Sequence, residues 1–325
     1  MNNTILDIRH LKTYFFTRNG AVKAVDDVSF GLRKKECLCL VGESGCGKTA
    51  TALSVLRLID SPPGKIIDGE ILYHGEDLLH CSGGRLRQIR GNRIAMIFQE
   101  PQTSLNPVFT VGDQIAEQVK LHLGLGHRQA MEKTIYLMEQ VGIPRAGERM
   151  RDYPHQFSGG MRQRILIAAA LSCNPEILIA DEPTTALDTT IKIQILDIFR
   201  DLKQQRDMSI LFITHDLGTV AGIADRIVVM YGGRVAEAGT VLDIFDQPRH
   251  PYTHGLINCL PDISTKKDRL TPIPGMIPSL IDPPEGCIFY PRCEQHMPIC
   301  KQKAPEEVVI SGEHIAACHL YSSPA

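Results

Sequence analysis

The chain is predicted to be an α/β protein organised around a phosphate-binding loop, and three observations predict it. Residues 42–49, Gly-Glu-Ser-Gly-Cys-Gly-Lys-Thr, match the pattern G-x-x-x-x-G-K-[ST] without a gap. An apolar run, Leu38 to Val41, enters this loop, and a helix-compatible stretch, Thr49 to Leu58, leaves it. From Gly42 onward strand-like segments alternate with helix-like ones, which is the signature of a mostly parallel sheet.

The elements follow in order. Residues 5 to 40 read as short antiparallel strands, with Asn19-Gly20 as a hairpin turn between Leu11–Thr17 and Val22–Val25. In the loop, Gly42, Gly45 and Gly47 let successive backbone N–H groups face one concavity. The variable residues Ser44 and Cys46 contribute their backbone there. The helix beginning near Thr49 and Ala50 adds its positive N-terminal end. Lys48 has the reach for β- and γ-phosphates, and the Thr49 hydroxyl can ligate magnesium. A simple glycine-rich turn would need neither residue. Later strands are expected at Ile94–Phe98, Ile177–Asp181, Ile210–Thr214 and Ile227–Tyr231, and Gly232-Gly233 turns the last into Arg234–Ala238. Residues 103 to 172 interrupt the alternation with helical periodicity, as in Ile115 and Val119 or Ile135, Met138 and Val141.

After Thr240 the composition shifts. Twelve of the 20 prolines fall at or beyond position 248 (248, 251, 261, 272, 274, 278, 283, 284, 291, 298, 305, 324), a density that excludes long helices and central strands. We therefore divide the chain into residues 1–240 and a separate, loop-rich module at 241–325 whose own core would be thin.

Composition narrows the function classes. The 325 residues suffice for about two domains, and 43% hydrophobic with 22% charged residues describes an ordinary globular protein. A net charge of −2 without a basic run leaves no electrostatic footprint for nucleic acid. The longest apolar run, Ile165 to Leu171, is far short of the ~18 residues that span a bilayer. The N-terminus lacks the basic and apolar regions of a secretory signal, so the 10 cysteines are expected to be reduced thiols or metal ligands in the cytosol.

Three strand ends carry four residues suited to chemistry. Ile177-Leu-Ile-Ala-Asp181-Glu182 is an apolar strand that closes on adjacent carboxylates, which point to opposite sides and so take different tasks. Asp181 suits a water-mediated magnesium contact, and Glu182 suits polarising an attacking water. Gln99 ends another strand, where it can sense γ-phosphate and magnesium. His215 follows Ile210–Thr214 and can bridge phosphate and water. Alone, His215 would be an ordinary strand-end histidine; the set of four gives it meaning. Ser158-Gly159-Gly160, immediately before Met161–Leu171, looks like a helix N-terminus with exposed amides. It reads either as a simple N-cap or as an anion site serving a phosphate held by another copy.

In these residues the chain resembles the nucleotide-binding subunit of an ATP-binding-cassette (ABC) transporter. The family's order is present from residue 5 to about 240: phosphate loop 42–49, Gln99, signature 158–162, strand 177–182, Ala186-Leu187-Asp188 and His215. The signature reads Phe-Ser-Gly-Gly-Met in place of the commoner Leu-Ser-Gly-Gly-Gln, with Ser158 and Gly160 intact. That variant resembles the oligopeptide/dipeptide/nickel importer branch, as do residues 99–107, His250-Pro-Tyr-Thr253, residues 274–280 and the final cysteines. The resemblance implies a P-loop ABC ATPase core with an antiparallel β subdomain, a helical subdomain at 103–172 and the small Pro/Cys-rich module. It implies ATP and Mg²⁺ sandwiched between two cassettes, with Lys48, Gln99, Glu182 and His215 catalytic. The nucleotide would lie among residues 42 and 44–50 of one subunit and Ser158, Gly159, Gly160 and Asp188. Thr49, Gln99 and Asp181 would face magnesium. Adenine stacks on an early aromatic in this family; Tyr14, Phe15 and Phe16 compete, and Phe15 best matches the branch.

Cys287, Cys293, Cys300 and Cys318 lie within a core-poor segment and contain no C-x-x-C pair. Four thiols there argue for a metal or cluster staple, against the alternative of four unconnected thiols. The resemblance implies a [4Fe–4S] cluster on these cysteines, with four-cysteine zinc as runner-up and His296 and His319 as substitute ligands. Cys37 and Cys39 share one strand face and read as core. Cys46 could make the loop sensitive to oxidation.

The resemblance implies an ATPase that powers peptide import from the cytoplasmic face of the membrane. Its partners would be a second, different ATPase, two permeases docking near Gln99–Asp113, and an extracytoplasmic solute-binding protein. A soluble cassette ATPase of DNA repair, translation or iron–sulfur assembly is the competing class. A P-loop kinase or GTPase has no use for residues 158–164.

Overall fold

The computed structural model describes residues 3–205, 207–260 and 272–322. The chain forms two compact units, residues 1–79 with 214–325, and residues 80–213.

The first unit opens with the hairpin Thr4–Thr17 and Gly20–Arg33, turning at Arg18-Asn19. Its first strand also pairs antiparallel with Gly64–Tyr73, which pairs with Glu76–Asp77. The strands run longer than their alternation alone suggests because bulges absorb the irregular positions; His10, at φ 47, lies at one register shift. The loop-entering strand Cys37–Val41 is fully buried, Cys37 and Cys39 included, and runs parallel to Arg226–Tyr231. A strand buried on both faces reads as a continuous apolar run, as Cys37–Val41 does. The helix after the loop is Lys48–Val55 and stops short of Leu58. Arg57 takes a left-handed φ of 50, and the Leu58 N–H closes on the Leu53 carbonyl at 2.8 Å, a six-residue C-terminal lock.

The described residues after Thr240 fall in this same unit. His314–Ala316 pairs with Arg234–Thr240 at Glu237↔Ala316 and Ala238↔Ile315, and Val308–Ser311 pairs outside it. Its apolar anchor is aromatic. Tyr252 and Phe289 pack on Tyr231 with ring centroids 4.6 and 5.1 Å away, and all three are buried. The helix Pro251–Asn258 starts from His250, whose Nδ1 accepts from Tyr252 N at 3.0 Å, with proline at its first position.

One buried carboxylate gathers these pieces. Glu237 accepts from Arg249 N at 2.7 Å, His250 N at 2.8 Å and His314 Nε2 at 2.7 Å, and is inaccessible to solvent. A proline-rich chain supplies little ladder bonding, so charge-assisted bonds to one acceptor do that work.

In the second unit, Ile94–Ile97, Ile177–Asp181 and Ser209–Thr214 pair in parallel. The helix Thr189–Gln205 sets Phe199 edge-on to Phe212 at 5.3 Å. The expected helical insertion contains Val111–Leu123, His127–Gln140, Ala146–Arg149 and Gly159–Ala170. Thr110 caps the first by accepting from Asp113 N at 3.2 Å, and Gly124 ends it in the left-handed region. Among the described residues no helix is long and apolar enough to cross a membrane.

Replacing Glu237 with alanine should destabilise the protein by about 3–5 kcal/mol, because it strands a buried imidazole and two backbone N–H groups. Glu237→Gln should cost less by keeping one acceptor. Urea unfolding measures both; a loss below about 1 kcal/mol for the alanine variant would show that Glu237 does not organise this region.

Candidate functional site

The phosphate loop is shaped by three glycines at positive φ: Gly42 at 153, Gly45 at 81 and Gly47 at 102. Two of them are wedged against backbone. A Cβ on Gly42 would lie 2.2 Å from the Met230 carbonyl oxygen, and one on Gly47 would lie 2.1 Å from that of Ala24. Gly45 has nothing within 4 Å, so only its backbone angle demands glycine. The Gly232-Gly233 turn fastens the loop from the other side: Gly233 N donates to the Cys46 carbonyl at 3.1 Å, and Asp26 N donates to Gly233 O at 2.8 Å.

Gly47 caps the following helix with no side-chain acceptor, so its first N–H groups keep their bonding capacity for a ligand. Lys48 is buried, and its Nζ donates to the Gly42 and Glu43 carbonyls at 2.7 and 3.0 Å. Ser44, Gly45 and Thr49 are exposed, and Ala50 is half-buried. Burial pushes the Cys46 thiol above its ordinary range despite Lys48 nearby, so it stays a protonated core thiol with little reactivity. The expected oxidation sensitivity has no basis in that environment.

Of the aromatic candidates, Tyr14 donates its hydroxyl to Asp26 at 2.7 Å, and burial raises its pKa to about 12. Phe15 is half-buried with its ring edge close to Gly64, and Phe16 is exposed. His215, also in the first unit, is exposed at its strand end; the next residue, Asp216, caps Leu217–Val220 by accepting from Gly218 N at 2.9 Å.

In the second unit the structure brings Gln99 and Glu182 together: Gln99 Nε2 donates to Glu182 Oε2 at 3.1 Å. Thr185 Oγ1 donates to the same oxygen at 2.8 Å, and Glu182 N donates to Ile213 O at 2.9 Å. Glu182 has a φ of 46, rare for a long side chain, so surrounding bonds hold the backbone there. Asp181 is buried beside it in sequence. Ser158 caps Gly159–Ala170 by accepting from Met161 N at 3.4 Å, while Ser158 and Gly159 themselves are exposed. Gly160 is required by packing: a Cβ there would meet Ile191 Cγ2 at 2.5 Å. Asp188 starts the helix carrying Ile191 and accepts from Ile191 N at 2.9 Å. The partner of Gly160 could not be read from the signature motif itself.

The four C-terminal cysteines share one neighbourhood. Burial raises the Cys287, Cys293 and Cys318 thiols, Cys318 to about 11, and the neighbouring thiols add to each shift. Cys287 N donates to the Cys300 carbonyl at 2.7 Å, and none of the four is in a disulfide. Yet among the described residues no three His, Cys, Asp or Glu side chains are grouped to hold a metal ion. The expected iron–sulfur site therefore lacks the geometry of a ligand set. Cys300 Sγ instead faces Met297 N at 3.4 Å. The substitute ligands are engaged elsewhere, His296 Nδ1 with Cys293 O at 2.7 Å and His319 Nε2 with Lys303 O at 2.8 Å.

Residues 25–185 match the family model described as ABC transporter, and residues 236–300 match the one described as oligopeptide/dipeptide transporter, C-terminal region. The chain is 48% identical to the dipeptide transport ATP-binding protein DppD of Bacillus subtilis, over 99% of this chain and 96% of that protein. The chain belongs to the ABC transporter ATPases. It is 47% identical to the oligopeptide transport ATP-binding protein AppD of Bacillus subtilis, over 98% of this chain and 97% of the relative. A dimeric bacterial ABC transporter cassette superposes with a TM-score of 0.66 at 22% identity, covering 73% of this chain and 98% of that one. A cassette bound to ADP and phosphate matches equally, with a TM-score of 0.66 at 21% identity. These structures establish the ABC cassette fold.

The unequal surroundings of the loop glycines give a test. Gly47→Ala should abolish measurable MgATP binding, since the new methyl collides with fixed backbone. Gly45→Ala, with open space, should weaken binding by no more than about thirtyfold from roughly 1–2 kcal/mol of backbone strain. Equal losses in titration calorimetry would refute the wedged-loop geometry.

Proposed function

We propose that this ABC ATPase hydrolyses ATP to power import of peptides, or of related solutes, through a membrane transporter. The match that runs across cassette and C-terminal region together carries this reading. It also disfavours a soluble role in DNA repair or iron–sulfur assembly, which has no use for residues 236–300. In this reading the chain divides into a cassette to about residue 240, with a helical part at 103–172, and the transporter-type extension at 241–325.

Each residue then has a task. Lys48 leaves its loop carbonyls for the β- and γ-phosphates, and the loop amides take the remaining phosphate oxygens. Thr49, Gln99 and Asp181 offer the oxygen donors that suit magnesium, which neutralises phosphate charge when bound with the nucleotide. Glu182 polarises the attacking water, with its Gln99 bond as the resting state, and His215 bridges water and γ-phosphate. Phe15 faces adenine. Ser158 and Gly160 present a helix end to the phosphate held by a second cassette, and Asp188 borders that junction.

The second cassette is a different ATPase chain in this reading. Two permeases dock near Gln99–Asp113, where Val108 and Phe109 are 70% and 54% exposed, and an extracytoplasmic binding protein supplies solute. The chain would sit peripherally on the cytoplasmic face.

A [4Fe–4S] cluster on Cys287, Cys293, Cys300 and Cys318, with zinc as runner-up, has the resemblance and the gathered thiols behind it and no metal-holding geometry. Iron and acid-labile sulfide in protein purified without oxygen test it. A cluster gives about four of each per chain, zinc gives neither, and four plain thiols give no metal.

Glu182→Gln keeps the side chain's shape while removing its basicity. The variant should bind MgATP like wild type and lose at least about 100-fold in hydrolysis, accumulating closed cassette pairs in size-exclusion chromatography. Wild-type turnover would remove Glu182 from its role.

A further inference from the structure

The phosphate loop has a second attachment that the nucleotide chemistry does not use. Glu43, the first variable residue of the loop, is gripped by the C-terminal extension at two points. Its backbone N–H donates to Tyr252 Oη at 2.9 Å. Its carboxylate receives both ends of the Arg292 guanidinium, Nη1 to Oε2 at 2.6 Å and Nη2 to Oε1 at 3.0 Å. Arg292 is fixed in turn: Nε donates to Pro274 O at 2.9 Å, Nη2 to Ile273 O at 3.3 Å and Nη1 to Tyr231 Oη at 3.3 Å. The Arg292 side chain is 3% exposed.

A two-point guanidinium–carboxylate pair with its arginine buried and its carboxylate partly exposed is directional, and its geometry restricts the orientation of the Glu43 side chain. The Glu43 carbonyl is also a resting acceptor for Lys48 Nζ, at 3.0 Å. A single residue therefore joins the extension to the lysine of the loop. From this we infer that Arg292 and Tyr252 are positioning residues for nucleotide binding. They hold the Glu43 peptide so that the loop is preformed, which couples nucleotide affinity to the packing of the extension. Such coupling is reciprocal: nucleotide binding must tighten the extension by the same factor.

The inference rests on nucleotide binding at this loop, and the experiment separates the two. The full chain is titrated calorimetrically with the magnesium complex of the β,γ-imido analogue of ATP, and thermal unfolding without nucleotide is recorded in parallel. Failure of wild type to bind would sink the nucleotide reading itself. Given binding, Arg292→Gln should weaken it about tenfold, within the usual range of such couplings. Arg292→Lys should recover part of that loss through its charge, and Tyr252→Phe should show a smaller loss. The double variant Glu43→Gln/Arg292→Gln should bind no worse than Arg292→Gln alone, since both remove one pair. In steady state the effect should fall on KM for MgATP more than on kcat. The inference is overturned if folded Arg292→Gln binds as wild type, whatever its melting temperature. Should that variant not fold, Tyr252→Phe and Glu43→Gln decide in the same way.

Discussion

The constraint on which this molecule depends is the seating of the phosphate loop's backbone against two other stretches of backbone. Gly42 rests on the Met230 carbonyl and Gly47 on that of Ala24, with no room for a methyl at either contact. Backbone that close can be supplied only by glycine, and only because Cys37–Val41 and Arg226–Tyr231 run parallel and buried beneath. The result is a loop backbone held by its neighbours on the protein itself. Preorganisation of this kind means that little reorganisation is left to oppose binding.

The same logic extends outward from the loop. The Gly232-Gly233 turn holds Cys46 from one side and the extension holds Glu43 from another. The extension has few ladder bonds and relies on buried charge to define its path: Glu237 for its entry and last strand, Arg292 for its contact with the loop. Breaking such pairs is costly because each leaves an uncompensated charge inside, so they specify arrangement as much as they stabilise it. The aromatic trio Tyr231, Tyr252 and Phe289 supplies the apolar contact beside Arg292, which donates to Tyr231 Oη at 3.3 Å.

Local signals made much of this legible. The loop, the strand Ile177–Asp181 and the Ser158 cap each depend on neighbours within a few residues, so the pattern carries the geometry. The strand pairing of Glu237 with Ala316, the clasp of Glu43 by Arg292 and the fit of Gly160 against Ile191 do not. Each joins residues too far apart for periodicity to register. Arg292 lies between Cys287 and Cys293 in no local pattern that marks it as a partner of the loop. The loop pattern leaves the place of Glu43 open to any residue. Composition likewise does not reveal that the aromatics of the proline-rich tail, Tyr252 and Phe289, pack on Tyr231 outside it.

A crystal structure of the full chain with the magnesium-bound imido analogue of ATP tests the seated loop most directly. The expected result is a loop whose Gly42 and Gly47 backbone keeps its contacts with Met230 and Ala24, while the Lys48 ammonium alone swings from its carbonyls to the phosphates. A loop that refolds around the nucleotide and leaves those contacts would contradict the preformed cradle.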